Sequence, residues 1–306
     1  MRMLDNVVDL CFYPTDRAER SNARHRPVGM GVMGFHDALM QTGVPMADER
    51  AVETASEWQE LVSYHAILNS SRLAKERGTY GSYEGSKWDR GVLPQDTLDL
   101  LEEERDREIP IDSEETMDWY VVREHVAEHG MRNSNTMAVA PTATISTIAG
   151  TTPSVEPTYS NLYVKSNMSG DFTVVNDHLV EDLKERGLWD DDLLDRLKYH
   201  DGSVQEIDAV PEDCKELYRG AFEIDPRHQL RLTAARGQWI DQSVSHNVFF
   251  PGTDGSLLDE VYRTAWELGL KTTYFHRTLG ASQIEKTTLD MDEYGDTQSR
   301  TAADGG

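Results

Sequence analysis

Residues 137–157 read MAVAPTATISTIAGTTPSVEP, and this stretch narrows what the chain can become more than any other. Four apolar residues end at Pro141, which has no backbone N–H and cannot continue a pairing ladder. The run reads as a short buried strand that stops there. Proline is at home in the first turn of a helix, and Thr142, Ala143, Thr144, Ile145 and Ser146 follow it, mixing hydroxyls with small or apolar side chains. Such a junction leaves backbone N–H groups without intrahelical acceptors at the mouth of the strand, beside the hydroxyls. A phosphate fits there without any lysine. A helix cap that merely satisfies its own backbone has the same spacing, and on spacing alone that plainer reading is favoured.

Composition removes several function classes. The 306 residues carry 55 acidic against 30 basic side chains, a formal charge of −25. Phosphate neutralisation on nucleic acid needs clustered Lys and Arg, so a nucleic-acid surface is not expected. The acidic residues are spread along the chain, which reads as adaptation to concentrated salt, where repulsion is screened within roughly 3 Å at 1 M; an ordinary acidic protein fits the same numbers. Cys11 and Cys214 make no disulfide framework and no C-x-x-C pair, as suits a reducing cytosol. Asp5 and Asp9 interrupt the apolar N-terminus, so neither a signal peptide nor a membrane span is expected, and the chain reads as soluble and cytoplasmic.

Periodicity supplies the elements. MRMLDNVVDL has helical spacing but no capping signal before it, as if the chain began inside a helix and lacked an N-terminal part. PVGMGVMGF (27–35) reads as a short strand, and HDALMQTG starts a helix. Apolar positions from Asp48 to Arg77 recur at three- and four-residue spacing and stop at Gly78. TMDWYVVREHVAEHG is a second amphipathic helix closed by Gly130. Residues 171–235 read as acidic, helical packing scaffold. Ser256 and Asp259 resemble a capping box before SLLDEVYRTAWELG, and LKTTYFHRT follows as a strand. Strands followed by helices argue an α/β fold. The polar tail, 289–306, reads as disordered.

Most other motifs have plain explanations. Gly29, Gly31 and Gly34 match G-x-G-x-x-G, but no acidic partner follows to bind a ribose, and close strand–helix packing accounts for them. Tyr274 and Phe275 are adjacent and so face opposite sides of a regular strand. Glu156 reads as an exposed turn residue or a local N–H acceptor. No H-x-x-x-H or H-E-x-x-H pairing is read for His36, His129, His246 and His276, so no protein-built metal site is expected. Neither G-x-S-x-G nor a Walker sequence is present.

Together, RPVGMGVMGFHDAL, YGSYEGSKWDRGVLPQDTL, HGMRNSNTMAVAPTATISTIAG, SVEPTYSNLYVKSNMSGDFTVVN, RGQWIDQSVSHN and GLKTTYFHRTLGASQIEK resemble the C-terminal part of the catalytic subunit of class I ribonucleotide reductases, from about Met1 to Thr288. The resemblance implies the C-terminal half of a ten-stranded α/β barrel, incomplete by itself. It implies that Pro141, Thr142, Ala143, Thr144, Ile145 and Ser146 hold the diphosphate of a ribonucleoside diphosphate, and that Tyr274 is the last radical relay before a thiyl-forming cysteine. The finger-loop cysteine and the redox thiols of the family match neither Cys11 nor Cys214, so the chain is expected to be inactive alone and to need the N-terminal remainder of the subunit. Implied partners are a radical-generating, metal-containing small subunit, docked at the helix around Leu258 and Val261, and a thioredoxin- or glutaredoxin-type reductant. Phe275 stands where class I members carry a second tyrosine. It has no O–H to ionise, which leaves adenosylcobalamin, the class II radical source, as an alternative. A non-catalytic nucleotide-binding or regulatory half-barrel is the rival from another class.

Overall fold

The structure, a computed structural model, describes residues 1–167, 170–252 and 254–278; the expected tail at 289–306 lies outside them. Helices dominate. Three come first: α1 (Arg2–Leu10), α2 (Asp16–His25) and α3 (Phe35–Thr42). Thr15 caps α2 by accepting from the Ala18 N–H, and Gly34 and Gly43 flank α3 in left-handed conformations that favour glycine. The long α4 (Glu49–Arg77) starts at Asp48, whose side chain accepts from the Arg50 N–H, and ends at Gly78 with φ of 81°. Next come α5 (Asp96–Arg105), α6 (Trp119–His129) and the five-residue α7 (Ile145–Ala149). An antiparallel hairpin, β1 (Leu162–Asn167) and β2 (Gly170–Val175), leads to α8 (Asp177–Glu185), α9 (Asp191–Tyr199) and α10 (Glu212–Leu217). The chain continues through α11 (Pro226–Gly237), β3 (Val248–Phe250), α12 (Gly255–Glu267) and β4 (His276–Thr278).

The parallel component is thinner than the expected half-barrel. Beyond the β3–β4 pair, single parallel bridges join Met30 to Met137 and Val139 to Val244. Four segments therefore lie side by side in the order 30, 137–139, 244–248 and 276, all running the same way, and among the described residues they close no barrel. Pro27 and Pro141 donate no N–H, and Gly29 and Gly31 present no side chain to pack, so the pairing shrinks to the residues between them. The expected strands at 27–35 and 270–278 are likewise shorter than read, reduced to a bridge at Met30 and to β4.

Other expectations change in detail. Asp254, not a Ser256–Asp259 box, caps α12, accepting from the Ser256 N–H at 2.8 Å. The 171–235 region opens on β2 before its helices begin. Gly29 and Gly31 answer a strand-like neighbour rather than a helix: a Cβ on Gly31 would meet the Ala138 carbonyl oxygen at 2.2 Å, and one on Gly29 would meet the Ala138 Cβ at 3.2 Å.

Core packing brings these segments together. Phe35, Leu39, Met137, Val139, Ile240 and Val244 belong to one buried cluster around the parallel segments, while Trp119 stacks on Trp239 where α6 meets the end of α11. Buried Asp5 ties α1 to the rest through Arg26, Arg77 and Arg132. None of the helices among the described residues is long and apolar enough to cross a membrane.

Candidate functional site

The 141–146 turn follows the carboxyl end of the segment that contains Met137 and Val139, where open α/β sheets present their ligand crevices. Asp241 anchors the beginning of that segment. It accepts from the Thr136 and Met137 N–H groups at 2.9 and 2.7 Å and from the Thr136 hydroxyl. Burial pushes its carboxyl above the usual range, against the pull of those donors.

Beyond Ala140 the chain does not enter a helix at Pro141. Thr142 takes a left-handed conformation, φ 53°, and α7 begins only at Ile145. A threonine there is strained by roughly 1–2 kcal/mol. Two contacts hold it: the Thr142 carbonyl accepts from the Ser146 N–H at 2.9 Å, and its hydroxyl accepts from the Ser154 N–H at 2.6 Å. The expected helix start is thus four residues late, because Thr142 turns left-handed and gives its hydroxyl to the Ser154 N–H. Ala143, Thr144 and Ile145 are exposed, Pro141 and Thr142 half-buried, and Ser146 buried. The Ser146 hydroxyl therefore does not point outward as expected.

Glu156 behaves unlike the exposed turn residue the sequence suggests. Its Oε1 accepts from the backbone and side-chain N–H groups of Asn247, at 3.0 and 2.6 Å, across 91 positions of sequence. Burial raises its pKa, partly offset by those donors and by the charge of Arg277. Asn247 Oδ1 in turn accepts from the Phe275 N–H at 3.3 Å, and the His246 carbonyl accepts from the Tyr274 N–H at 2.7 Å. The Thr142–Ser154 turn and the Tyr274–Phe275 segment thereby become neighbours of one polar chain. Tyr274 itself is half exposed, with its ring 4.2 Å from that of Phe275.

Behind this chain lies a buried cationic group. α11 carries Thr233, whose hydroxyl meets His246 Nδ1 at 2.8 Å, and Arg236, whose guanidinium lies 4.2 Å from the centre of the Phe35 ring. Burial, then the nearby Arg236 charge, lowers the His246 pKa to about 4. Part of the supposed packing scaffold therefore supports the site. Glu156, Asn247, His246 and Arg236 were all missed by sequence reasoning. The only available signal was the SVEP and SVSHN blocks themselves, since no local spacing links residues so far apart.

Two further expectations need correction. Val261 is fully buried against Leu230, Ala234 and Val248, so it offers nothing to a docking partner; hydrophobic spacing alone could not tell its inward face from an open one. An H-x-x-x-H pair does exist, because His125 precedes His129 by one helical turn on α6. Cys214 is buried beside Asp182, and burial followed by the Asp182 charge pushes its thiol up to about 12, so it stays protonated.

Comparison with known proteins places these residues in context. The profile of the family described as ribonucleotide reductase, barrel domain, matches residues 1–276. A ribonucleoside-diphosphate reductase subunit alpha from Chlamydia pneumoniae is 51% identical over 296 residues, covering 96% of this chain and 28% of the relative. A ribonucleoside-diphosphate reductase large subunit from Caenorhabditis elegans is 38% identical over 290 residues, covering 94% and 35%. One from Danio rerio is 35% identical over 305 residues, covering 99% and 37%. The chain thus spans between about a quarter and somewhat over a third of the length of these curated relatives.

Proposed function

This chain belongs to the ribonucleotide reductase barrel-domain family, and from that premise we propose that it acts as part of the catalytic subunit of a ribonucleoside-diphosphate reductase. In that reading Pro141 to Ser146 hold the substrate diphosphate and Tyr274 passes a radical to a cysteine on the rest of the subunit. The observation that carries the proposal is the exposed turn Ala143–Ile145 at the carboxyl end of parallel segments, held from behind by the Thr142–Ser154 hydrogen bond. Amides in the first turn of a helix suit an anion, and of those here the Ser146 N–H is already given to the Thr142 carbonyl. Ser146, being buried, supports the turn rather than contributing an outward hydroxyl.

Of the Tyr274–Phe275 pair, only the tyrosine has an O–H that can give up a proton together with an electron. The radical itself originates outside these residues, in a metal-containing small subunit or in adenosylcobalamin, and a thioredoxin- or glutaredoxin-type protein restores the thiols. We place the docking face for a small subunit on α12 around Leu258 and the exposed Tyr262, in place of Val261.

Binding tests the proposal directly. Titration of the purified chain with a ribonucleoside diphosphate, followed by 31P NMR, is expected to saturate, and the matching ribonucleoside is expected to bind far more weakly. Ala143→Glu puts a negative charge on the exposed turn and is expected to weaken diphosphate binding at least tenfold, about 1.4 kcal/mol, with an unchanged melting temperature. Equal affinity in the variant would overturn the assignment of the loop.

A further inference from the structure

Helix α6 carries the sequence His125-Val126-Ala127-Glu128-His129, with both imidazoles on one face and their ring centroids 4.6 Å apart. The spacing H-x-x-E-H is one by which a single helix offers two imidazole nitrogens to a metal ion. Position alone makes this a common surface pair, but a second element fixes one of the rings. Ser71 on α4 lies with its Oγ 2.7 Å from His125 Nδ1 and 3.1 Å from the His125 carbonyl oxygen.

That geometry selects a tautomer. A serine hydroxyl has one hydrogen, and both contacts are satisfied together only when it donates to the carbonyl while the imidazole Nδ1–H donates to Oγ. The proton is then on Nδ1, and Nε2 keeps its lone pair free, as a metal ligand must. On the other ring, His129 Nε2 is 3.5 Å from Glu128 Oε1, a carboxylate able to hold a metal-bound water or offset a cation. Both imidazoles are half-buried, so neither is sealed from solvent.

We infer that His125 and His129 form a binding site for one divalent transition-metal ion of the kind that prefers imidazole, copper(II) or zinc, with water completing its coordination. Among the described residues no group of three His, Cys, Asp or Glu side chains gathers around a metal position, so this is a two-nitrogen site. The charges facing His125 act in both directions. Arg72 and Lys75 on α4 oppose a cation, whereas Glu128 favours one.

Calorimetric titration of the purified chain with zinc chloride and with copper(II) chloride tests the site. One equivalent is expected to bind, copper(II) more tightly than zinc, with the visible and electron-spin spectra of nitrogen-ligated copper. His125→Gln and His129→Gln are each expected to lower affinity at least tenfold, and Ser71→Ala, which frees the His125 ring, by about tenfold. Lowering the pH to 5 is expected to release the metal, and His200→Gln to leave binding unchanged. Circular dichroism of each variant separates loss of the site from loss of fold, and the imidazole nitrogen NMR signals of the unsubstituted chain supply a measurement that needs no variant. Absence of saturable binding, or binding that survives both histidine substitutions with unmoved His125 and His129 signals, would overturn the inference.

Discussion

At the scale of single residues, Gly31 has little freedom. A methyl group there would sit 2.2 Å from the Ala138 carbonyl oxygen, and backbone cannot yield as a flexible side chain can. Gly31→Ala is therefore expected to cost about 3 kcal/mol, read from urea denaturation, whereas Gly29→Ala, with its nearest contact at 3.2 Å, should cost much less. Equal costs would mean that the Met30–Met137 pairing is not what these glycines protect. Glu156 offers a test of opposite sign. Burial raises its pKa, so its charged form is less comfortable in the folded chain than in the unfolded one, and stability is lost as pH rises past its unfolded value. Glu156→Gln keeps an oxygen for Asn247 and removes the charge. It should be more stable than the unsubstituted chain at pH 7, with the advantage vanishing near pH 4.

At the scale of elements, helices were legible and strands were not. The limits of α4 follow from local chemistry, an aspartate cap at Asp48 and a glycine stop at Gly78, and both residues act as their types suggest. Its tertiary anchor was invisible. Glu60, 1% exposed, accepts from the Thr116 and Met117 N–H groups at 2.9 and 3.0 Å and from Trp119 Nε1 at 2.9 Å, fastening the segment that leads into α6. Glu60→Ala leaves the buried Trp119 N–H unpaired and frees the less buried Thr116 and Met117 donors, and should cost on the order of 2 kcal/mol. Hydrogen exchange should show the start of α6 opening first; uniform loss across the chain would count against a local anchor. The parallel segments were overestimated because an apolar run signals burial, while ladder length depends on which neighbours arrive and in what register.

Across the whole molecule, the pH response should be dominated by two buried imidazoles. Burial holds His36, and burial with the Arg236 charge holds His246, at pKa values of about 4. The unfolded chain binds protons at these positions near pH 6.5 and the folded chain does not. Stability is then full above that value and falls as the pH drops from about 6.5 towards 4, by roughly 3 kcal/mol for each group; the half-buried carboxyls of Glu156 and Asp241, raised by their partial burial, offset part of this. Asp5 acts lower down. Burial alone would raise it, but hydrogen bonds from Arg26 and Arg77 and the charge of Arg132 hold it below its ordinary value, so its contribution persists until the ordinary carboxylate range is passed. Denaturation curves between pH 4 and 7 check the sign, and a flat profile would contradict it. The formal charge of −25 leads us to expect that molar potassium chloride raises the melting temperature by screening repulsion; a fall would oppose the reading of salt adaptation.

Local chemistry in the sequence by itself determined most helix ends, the interruption at Pro141, the close approach at Gly31 and, through long ordered blocks, the family. Those features depend on residues adjacent in sequence or on backbone limits carried by proline and glycine. Tertiary structure decided which functional groups meet: Glu156 with Asn247, Arg236 with Phe35, Ser71 with His125, and the burial of Ser146 and Val261. A side chain's partner across 91 positions depends on how helices pack around the parallel segments, and no local periodicity encodes that distance. The turn at Thr142 shows the boundary between the two. Its hydroxyl was legible, but its use, to hold Ser154 and delay α7, existed only once both segments had folded against each other.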